Sequence, residues 1–328
     1  MTDQYGRQID YMRISVTDRC NLRCIYCMPE EGVEQTSHGE ILTYGEIARV
    51  AKAAAGLGVT RVRLTGGEPL VRRDLSRLVS MLTALDQVEE VALTTNGVLL
   101  GEQIEELAAA GLGSVNISLD TLEREQYACV ARRDELDRVL LSLEKMREYP
   151  WIQVKLNCVP LAGYNEDQWC RLAELAGERD MDVRFIEMMP LGLGEKFPLC
   201  SQETVLQRLR EAFGPERPAM GKDALAGRGP AFYVTFEGFR GRVGFISALS
   251  HKFCGSCNRV RLSAEGFLKP CLQYEGGTDL RRLLRQGASE QEIAGAIRQT
   301  VWEKPACHQF EQPRGEGTEK KNMNRIGG

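Results

Sequence analysis

The stretch Tyr11-Met-Arg-Ile-Ser-Val-Thr-Asp-Arg-Cys20-Asn-Leu-Arg-Cys24-Ile-Tyr-Cys27 decides the fold. Its first seven residues alternate, as an extended strand requires. Met12, Ile14 and Val16 fall on one face, and Arg13, Ser15 and Thr17 on the other. A loop with three cysteines at C-x3-C-x2-C spacing follows directly. A strand that ends in a chemistry-bearing loop is the arrangement of α/β barrel enzymes, which keep their active sites on such loops.

The same kind of run recurs downstream. Strands are expected at Tyr11–Val16, Arg61–Thr65, Val91–Thr95, Ser114–Leu119, Gln153–Val159 and Asp182–Glu187. Helical periodicity fills the intervals around Ile47–Leu57, Leu75–Leu85, Ile104–Ala110, Asp134–Glu148 and Asp167–Glu178. Such alternation indicates βα units on a parallel sheet. Six units suggest an α/β fold of the incomplete (β/α)6 TIM-barrel type, with an open doubly wound sheet as second choice. Strands of a packed barrel are apolar on both faces. Here Arg13, Arg63 and Lys155 each alternate with aliphatic neighbours, as do Ser114, Asn116 and Ser118. Helices over the aliphatic faces would leave a cationic cavity suited to a large anion.

Beyond Pro190 the pattern changes. Gly- and Pro-rich stretches surround a helix at Gln202–Glu211, then strands are expected at Phe232–Phe236, Arg242–Ile246, Arg259–Leu262 and Phe267–Pro270. Two helices follow, near Leu280–Arg285 and Gln291–Gln299. The expected division is residues 1–190 for the partial barrel and 191–328 for a C-terminal α+β cap. That cap carries Cys254-x2-Cys257 and, after thirteen intervening residues, Cys271. Each cysteine group offers three thiolates, whereas structural zinc takes four protein ligands. Three thiolates on a four-iron cluster leave one iron open. By spacing alone a zinc knuckle completed by His251, Cys307 or His308 stays open for the second group, and only His38 lies near the first. Cys129, Cys158, Cys170, Cys200 and Cys307 read as small buried hydrophobes.

Composition narrows the class. The chain has 328 residues, a net charge of −4 and 27% charged residues, with no basic face for nucleic acid. No apolar run approaches the roughly 20 residues of a membrane span, and the N-terminus lacks a signal core. Eleven cysteines in a chain that reads as cytoplasmic are metal ligands or free thiols, not disulfides.

Gly66-Gly67-Glu68-Pro69 closes the second strand, where the glycines allow close backbone approach of a ligand and Glu68 adds a carboxylate. Together with Cys20-x3-Cys24-x2-Cys27 it resembles the radical S-adenosylmethionine superfamily. Asn258-Arg-Val-Arg261 after the second cysteine pair, and the terminal Gly327-Gly328, narrow the resemblance to the GTP 3′,8-cyclase family. The resemblance implies two [4Fe–4S] clusters, one held by Cys20, Cys24 and Cys27 and a second by Cys254, Cys257 and Cys271. It implies S-adenosylmethionine contacts from Tyr26, Gly67, Ser118 and Met189. It implies GTP contacts from Arg13, Arg63, Thr94, Lys155, Arg259, Val260 and Arg261. No catalytic base is assigned, because the radical arises on the cofactor. The family further implies an electron donor, a homodimer and transfer of product to cyclic pyranopterin monophosphate synthase. It has the Gly327-Gly328 tail entering the active site, where sequence physics alone gives a frayed end. Two other readings are a radical enzyme acting on a peptide or another small molecule, and a non-catalytic iron–sulfur protein that carries electrons or senses oxygen. The latter needs neither a cationic cavity nor the Gly-Gly-Glu-Pro turn.

Overall fold

The computed structural model describes residues 1–219, 229–312 and 315–326. Six strands alternate with helices: β1 (Tyr11–Ser15), α1 (Tyr44–Ala55), β2 (Arg61–Thr65), α2 (Leu75–Thr83), β3 (Glu90–Thr95), α3 (Leu100–Ala109), β4 (Ser114–Ser118), α4 (Arg124–Ala131), α5 (Leu136–Lys145), β5 (Gln153–Cys158), α6 (Trp169–Glu178) and β6 (Asp182–Ile186). The remainder adds α7 (Gln202–Phe213), β7 (Arg217–Pro218), β8 (Phe232–Thr235), β9 (Arg242–Ile246), β10 (Arg259–Leu262), β11 (Phe267–Lys269), β12 (Thr278–Asp279), α8 (Leu280–Arg285), α9 (Glu290–Trp302) and α10 (Met323–Ile326).

Local chemistry sets the helix starts. Thr43 accepts the Glu46 N–H while the Glu46 carboxylate accepts the Thr43 N–H, a reciprocal cap that begins α1. Ser289 and Glu292 do the same for α9. Helix α4 was not expected from sequence. Its run Arg-Glu-Gln-Tyr-Ala-Cys-Val-Ala buries only Tyr127, Val130 and Ala131, too few for a helical stripe to stand out. Two of the five remaining cysteines also depart from expectation. Cys158 and Cys200 are buried, but Cys129 and Cys307 are exposed.

All twelve strands form one sheet in the order β12-β11-β10-β1-β2-β3-β4-β5-β6-β9-β8-β7. From β10 across to β9 every neighbouring pair is parallel. Antiparallel partners complete each flank. The fold is therefore α/β with a mostly parallel sheet. The neighbour order runs from β1 to β6 without reversal, so these strands have no switch point of the doubly wound kind. Residues beyond 190 supply strands on both sides of the six, β10 beside β1 and β9 beside β6.

Register separates two unlike faces. Met12, Ile14, Leu64, Ile117, Leu156 and Leu262 have no exposed surface and pack beneath the helices. The alternate positions carry Arg13, Arg63, Asn116, Lys155, Arg184 and Arg261. At its β6–β9 margin this polar face holds an ion pair across the sheet. Arg242 Nε and Nη2 donate to the two Asp182 carboxylate oxygens at 2.9 and 2.8 Å. Both side chains are buried, so neutralising one leaves the other charge uncompensated. Asp182→Asn is expected to cost about 3–5 kcal/mol in urea unfolding. A loss under 1 kcal/mol would mean that water reaches the guanidinium. No helix among the described residues is long and apolar enough to cross a membrane.

Candidate active site between two cysteine groups

Arg13 lies directly abreast of both Arg63 and Arg261, and Tyr11 abreast of Arg259. Thr94, Asn116 and Lys155 form a second row across β3, β4 and β5. Arg63 Nε donates to the Tyr11 hydroxyl at 2.5 Å and Nη1 to the Leu93 carbonyl at 2.9 Å. So many cations on one buried face disturb one another. Burial, then the neighbouring Arg261, pulls Arg13 well below its ordinary pKa. Burial and Arg259 bring Arg261 down to about 10. Burial alone would raise Tyr11, but Arg63, Arg13 and Arg259 outweigh it and favour the phenolate. The face is built for an anion. Thr94 Oγ1, Asn116 Oδ1 and Arg259 Nε are buried without hydrogen-bond partners, which marks polar groups aimed at something other than the protein.

Val260 sits in the aliphatic register with no exposed surface, so its side chain cannot reach a ligand on the polar face. Arg184 escaped the sequence reading although Asp182-Val-Arg184 alternates like the other strands. It is nine-tenths buried, stands abreast of Asn157 and donates to its Oδ1 from Nε and Nη2 at 2.9 and 2.7 Å.

The first cysteine group follows β1, at the carboxyl ends of the parallel strands. Its loop is fastened to the end of α4, where Arg23 and Ile25 N–H donate to the Ala131 and Val130 carbonyls, each at 3.0 Å. Cys27 N–H donates to the Cys24 carbonyl at 2.9 Å and turns the chain back. Sulfur receives donors as well. Leu22 N–H lies 3.4 Å from Cys20 Sγ, and the Asn324 backbone N–H donates to the Cys27 sulfur. Burial pushes Cys20 up to about 12, with Glu68 adding to it. Burial likewise raises Cys27 to about 11 and holds Cys24 well above its ordinary value.

Gly66 and Gly67 are both required by a neighbour within the chain. A Cβ on Gly67 would lie 2.3 Å from the Arg19 carbonyl oxygen, and one on Gly66 2.5 Å from that of Thr17. The close approach is made by the cysteine loop's own backbone, with Gly67 N–H donating to Thr17 O and Glu68 N–H to Arg19 O, both at 2.8 Å. Glu68 is fully buried and accepts from Leu70 N–H, Thr95 Oγ1 and Asn96 N–H, at 3.0, 2.7 and 2.7 Å. It braces the turn from within. Tyr26 donates to Asp120 Oδ2 at 2.7 Å, and Asp120 Oδ1 accepts the Val159 N–H at 2.8 Å. Tyr26, Gly67 and Ser118 therefore sit at one end of the sheet with Cys20–Cys27. Met189 lies three residues past β6 and packs against the small cluster of Leu191, Leu272 and Ile326.

Burial raises Glu68 from 4.5 to about 7, with its three donors pulling the other way. Between those values the folded chain keeps a proton that the unfolded chain has released. Stability from this carboxyl is present at low pH and falls as pH rises, by at most about 1.4 kcal/mol per pH unit. Metal-free protein should therefore lose stability between about pH 4.5 and 7, and Glu68→Gln should flatten that slope in urea titrations. Equal slopes in the two proteins would place Glu68 in contact with water.

The second cysteine group lies at the opposite, amino end of the strands. Cys257 and Asn258 lead into β10, and Asn258 is tied to Asp10 just ahead of β1 by a 2.7 Å bond from Nδ2. Cys271 follows antiparallel β11, in which Lys269 stands abreast of Arg261, so it returns to that same end. Arg7 Nη1 donates to the Cys254 carbonyl at 2.9 Å, and His308 N–H approaches Cys254 Sγ at 3.5 Å. Burial works against the Cys257 thiolate, yet Lys304 and Arg259 prevail and lower its pKa. Each histidine has one ring nitrogen paired, while His308 Nδ1 is buried without a partner. His308 Nε2 pairs with Ala248 O at 2.8 Å, His251 Nδ1 with Ser250 Oγ at 3.0 Å and His38 Nε2 with Arg19 Nη2 at 3.3 Å. No three His, Cys, Asp or Glu side chains among the described residues gather closely enough for a single metal ion.

A C-terminal strap joins the two ends. Thr318 bridges to Tyr274, and Glu319 forms a buried ion pair with Lys269 and donates its N–H to Gln273 O. The chain then reaches the first group, where Asn324 Nδ2 donates to Asp18 O at 3.0 Å. Asn324 and Lys304 were invisible to sequence reading, since only the tertiary fold brings them to the cysteines. Gly327 and Gly328 lie outside the described residues.

Residues 14–176 match the family described as the Radical SAM superfamily, and residues 181–310 match Molybdenum Cofactor Synthesis C. A protein of Clostridium perfringens strain 13, named GTP 3′,8-cyclase, is 43% identical over 328 residues and the whole of both chains. A protein of the same name from Heliobacterium modesticaldum is 44% identical over 329 residues, again the whole of both. The chain belongs to the GTP 3′,8-cyclase family. Among solved structures, Streptococcus suis SuiB bound to S-adenosylmethionine superposes with a TM-score of 0.60 at 17% identity. It covers 88% of this chain and 68% of its own, a likeness of fold alone.

As a radical S-adenosylmethionine family, the GTP 3′,8-cyclases imply one [4Fe–4S] cluster together with S-adenosylmethionine. The first cysteine group of this family member fits that requirement. It offers three soft, half-buried donors on one loop, with N–H groups directed toward two of the sulfurs.

Proposed function

We propose that this chain converts GTP into (8S)-3′,8-cyclo-7,8-dihydroguanosine 5′-triphosphate, the first step of molybdenum cofactor biosynthesis. The observation that carries the reading is the buried cationic face between two cysteine groups at opposite ends of one sheet. When bound, the first cluster and S-adenosylmethionine would together supply the one-electron chemistry needed to activate a ribose C–H bond. Cys20, Cys24 and Cys27 hold that cluster. Tyr26, Gly67, Ser118 and Met189 border the cofactor, with the Tyr26 ring fixed by Asp120.

Arg13, Arg63, Arg259 and Arg261 take the triphosphate, because guanidinium forks donate paired hydrogen bonds to phosphate oxygens. Lys155 and Arg184 extend the positive face, and Thr94 offers a hydroxyl. Val260 is left with a backbone role. Cys254, Cys257 and Cys271 would hold a second [4Fe–4S] cluster, which would supply a binding position for the guanine base. Strands are spaced about 3.3 Å per residue, so the levels of Tyr11 and Ser15 lie about 13 Å apart. A nucleotide laid along β1 can thus reach from one cysteine group toward the other. No side chain is assigned as base for hydrogen abstraction.

The sheet is read as an incomplete barrel, with residues 1–190 as the radical half and 191–328 as the cap that carries the second cluster. Within the same reading the enzyme is a cytoplasmic homodimer served by a separate electron donor. The product passes to cyclic pyranopterin monophosphate synthase. The decisive experiment is anaerobic. Reconstituted protein with dithionite and S-adenosylmethionine should form 5′-deoxyadenosine in a GTP-dependent manner, with a cyclised GTP product by mass spectrometry. Cleavage indifferent to GTP would discard the substrate. No cleavage by protein carrying intact clusters would discard the radical chemistry.

A further inference from the structure

Lys304 follows α9 and is 2% exposed, which is rare for a lysine unless its charge is answered. Its ammonium donates to Arg259 O at 3.0 Å, to Pro270 O at 2.5 Å and to the sulfur of Cys257. These are three donors and three acceptors, so the hydrogen-bonding capacity of the group is filled. Its charge is not. Among the described residues no carboxylate pairs with Lys304. Arg7, which donates to Pro305 O and Ala306 O beside it, has its own partner in Asp3. A buried ammonium without a counter-charge is heavily penalised, and the only anions its contacts can supply are thiolates.

We propose that Lys304 is the positioning and charge-balancing cation of the second cysteine site. This rests on the reading of Cys254, Cys257 and Cys271 as cluster ligands. One ammonium then gathers the backbone ahead of Cys271, a ligand sulfur and the carbonyl of Arg259. It joins the cluster mechanically to a strand that faces the triphosphate. Its charge and its hydrogen bond to sulfur favour the more negative, reduced state, so it raises the reduction potential of the second cluster. A lysine that merely clamped two carbonyls would hold the loop without moving that potential.

The test uses the full chain in a Cys20→Ser/Cys24→Ser/Cys27→Ser background, so that only the second site takes up iron. Lys304→Met removes donor and charge, Lys304→Gln keeps a donor without charge, and Lys304→Arg keeps the charge. Circular dichroism of each apo-protein checks the fold, and the Gln variant carries the comparison should the Met variant not fold. EPR-monitored redox titration should give a more negative midpoint for the uncharged variants and a value near the parent's for Lys304→Arg. Iron loss to a chelator should be about 10- to 100-fold easier in the uncharged variants, the usual range for an outer-shell partner. An unchanged midpoint in a folded, uncharged variant would overturn the charge-balancing role. A parent that takes up no cluster would overturn the reading of the second site, and this inference with it.

Discussion

Replacing Cys254 with alanine is expected to leave GTP-stimulated chemistry without a product while the first cluster persists. The substitution removes a thiol and little else. Arg7 holds residue 254 through its carbonyl, a bond that alanine keeps. The turn closed by Cys257 N–H on that same carbonyl, at 3.2 Å, also survives. The first cysteine group lies past the far end of β1 and shares no ligand with the second. Iron should fall from about eight to about four atoms per chain, as loss of one four-iron cluster requires. S-adenosylmethionine cleavage should persist, whereas cyclised product should drop more than about 100-fold, beyond what loss of an outer-shell partner costs. Product formed at the wild-type rate would remove the second cysteine group from the mechanism.

Gly67→Ala should give the mirror image. The added methyl meets the carbonyl oxygens of Arg19 and Asp18 at 2.3 and 2.8 Å, and both belong to the backbone that leads into Cys20. Neither can give way as a side-chain tip would. Either the turn or the cysteine loop must shift, at a cost of about 1–3 kcal/mol or more. The shift disturbs the two bonds by which Thr17 and Arg19 hold the turn. Iron at the first site and 5′-deoxyadenosine formation should both fail, while the second site still loads. Gly39→Ala is the matching control, because a Cβ there meets nothing within 4 Å. Normal loading of the first site in Gly67→Ala would show that the loop tolerates the displacement.

The strands were legible because each one alternates. Arg61–Thr65, Arg242–Ile246 and Arg259–Leu262 fall where the pattern put them, and the polar face of Arg13, Arg63 and Lys155 could be read without coordinates. Arg184 obeys the same rule and was available to it. What no local pattern carries is pairing at long range. Nothing in Arg259–Leu262 says that it lies against Tyr11, nor in Arg242–Ile246 that it lies against Asp182. The Gly66-Gly67 pair shows a subtler limit. Sequence reports that a backbone must come close there, but not whether its neighbour is a ligand or another stretch of the same chain.

The placement of β9 and β10 has a consequence for how the protein is made. Strand β1 leaves the ribosome early, yet its outer edge is covered only by Arg259–Leu262. At about 5–20 residues per second, the interval between Ser15 and Arg259 is on the order of ten to fifty seconds. Throughout that time a parallel edge stands open beside an uncovered cysteine loop, a state prone to aggregation unless something shields it. Through the same interval Cys27 lacks the backbone N–H that Asn324 donates to its sulfur in the folded chain. The surroundings of the first cysteine group are thus complete only once the last residues of the strap have been made.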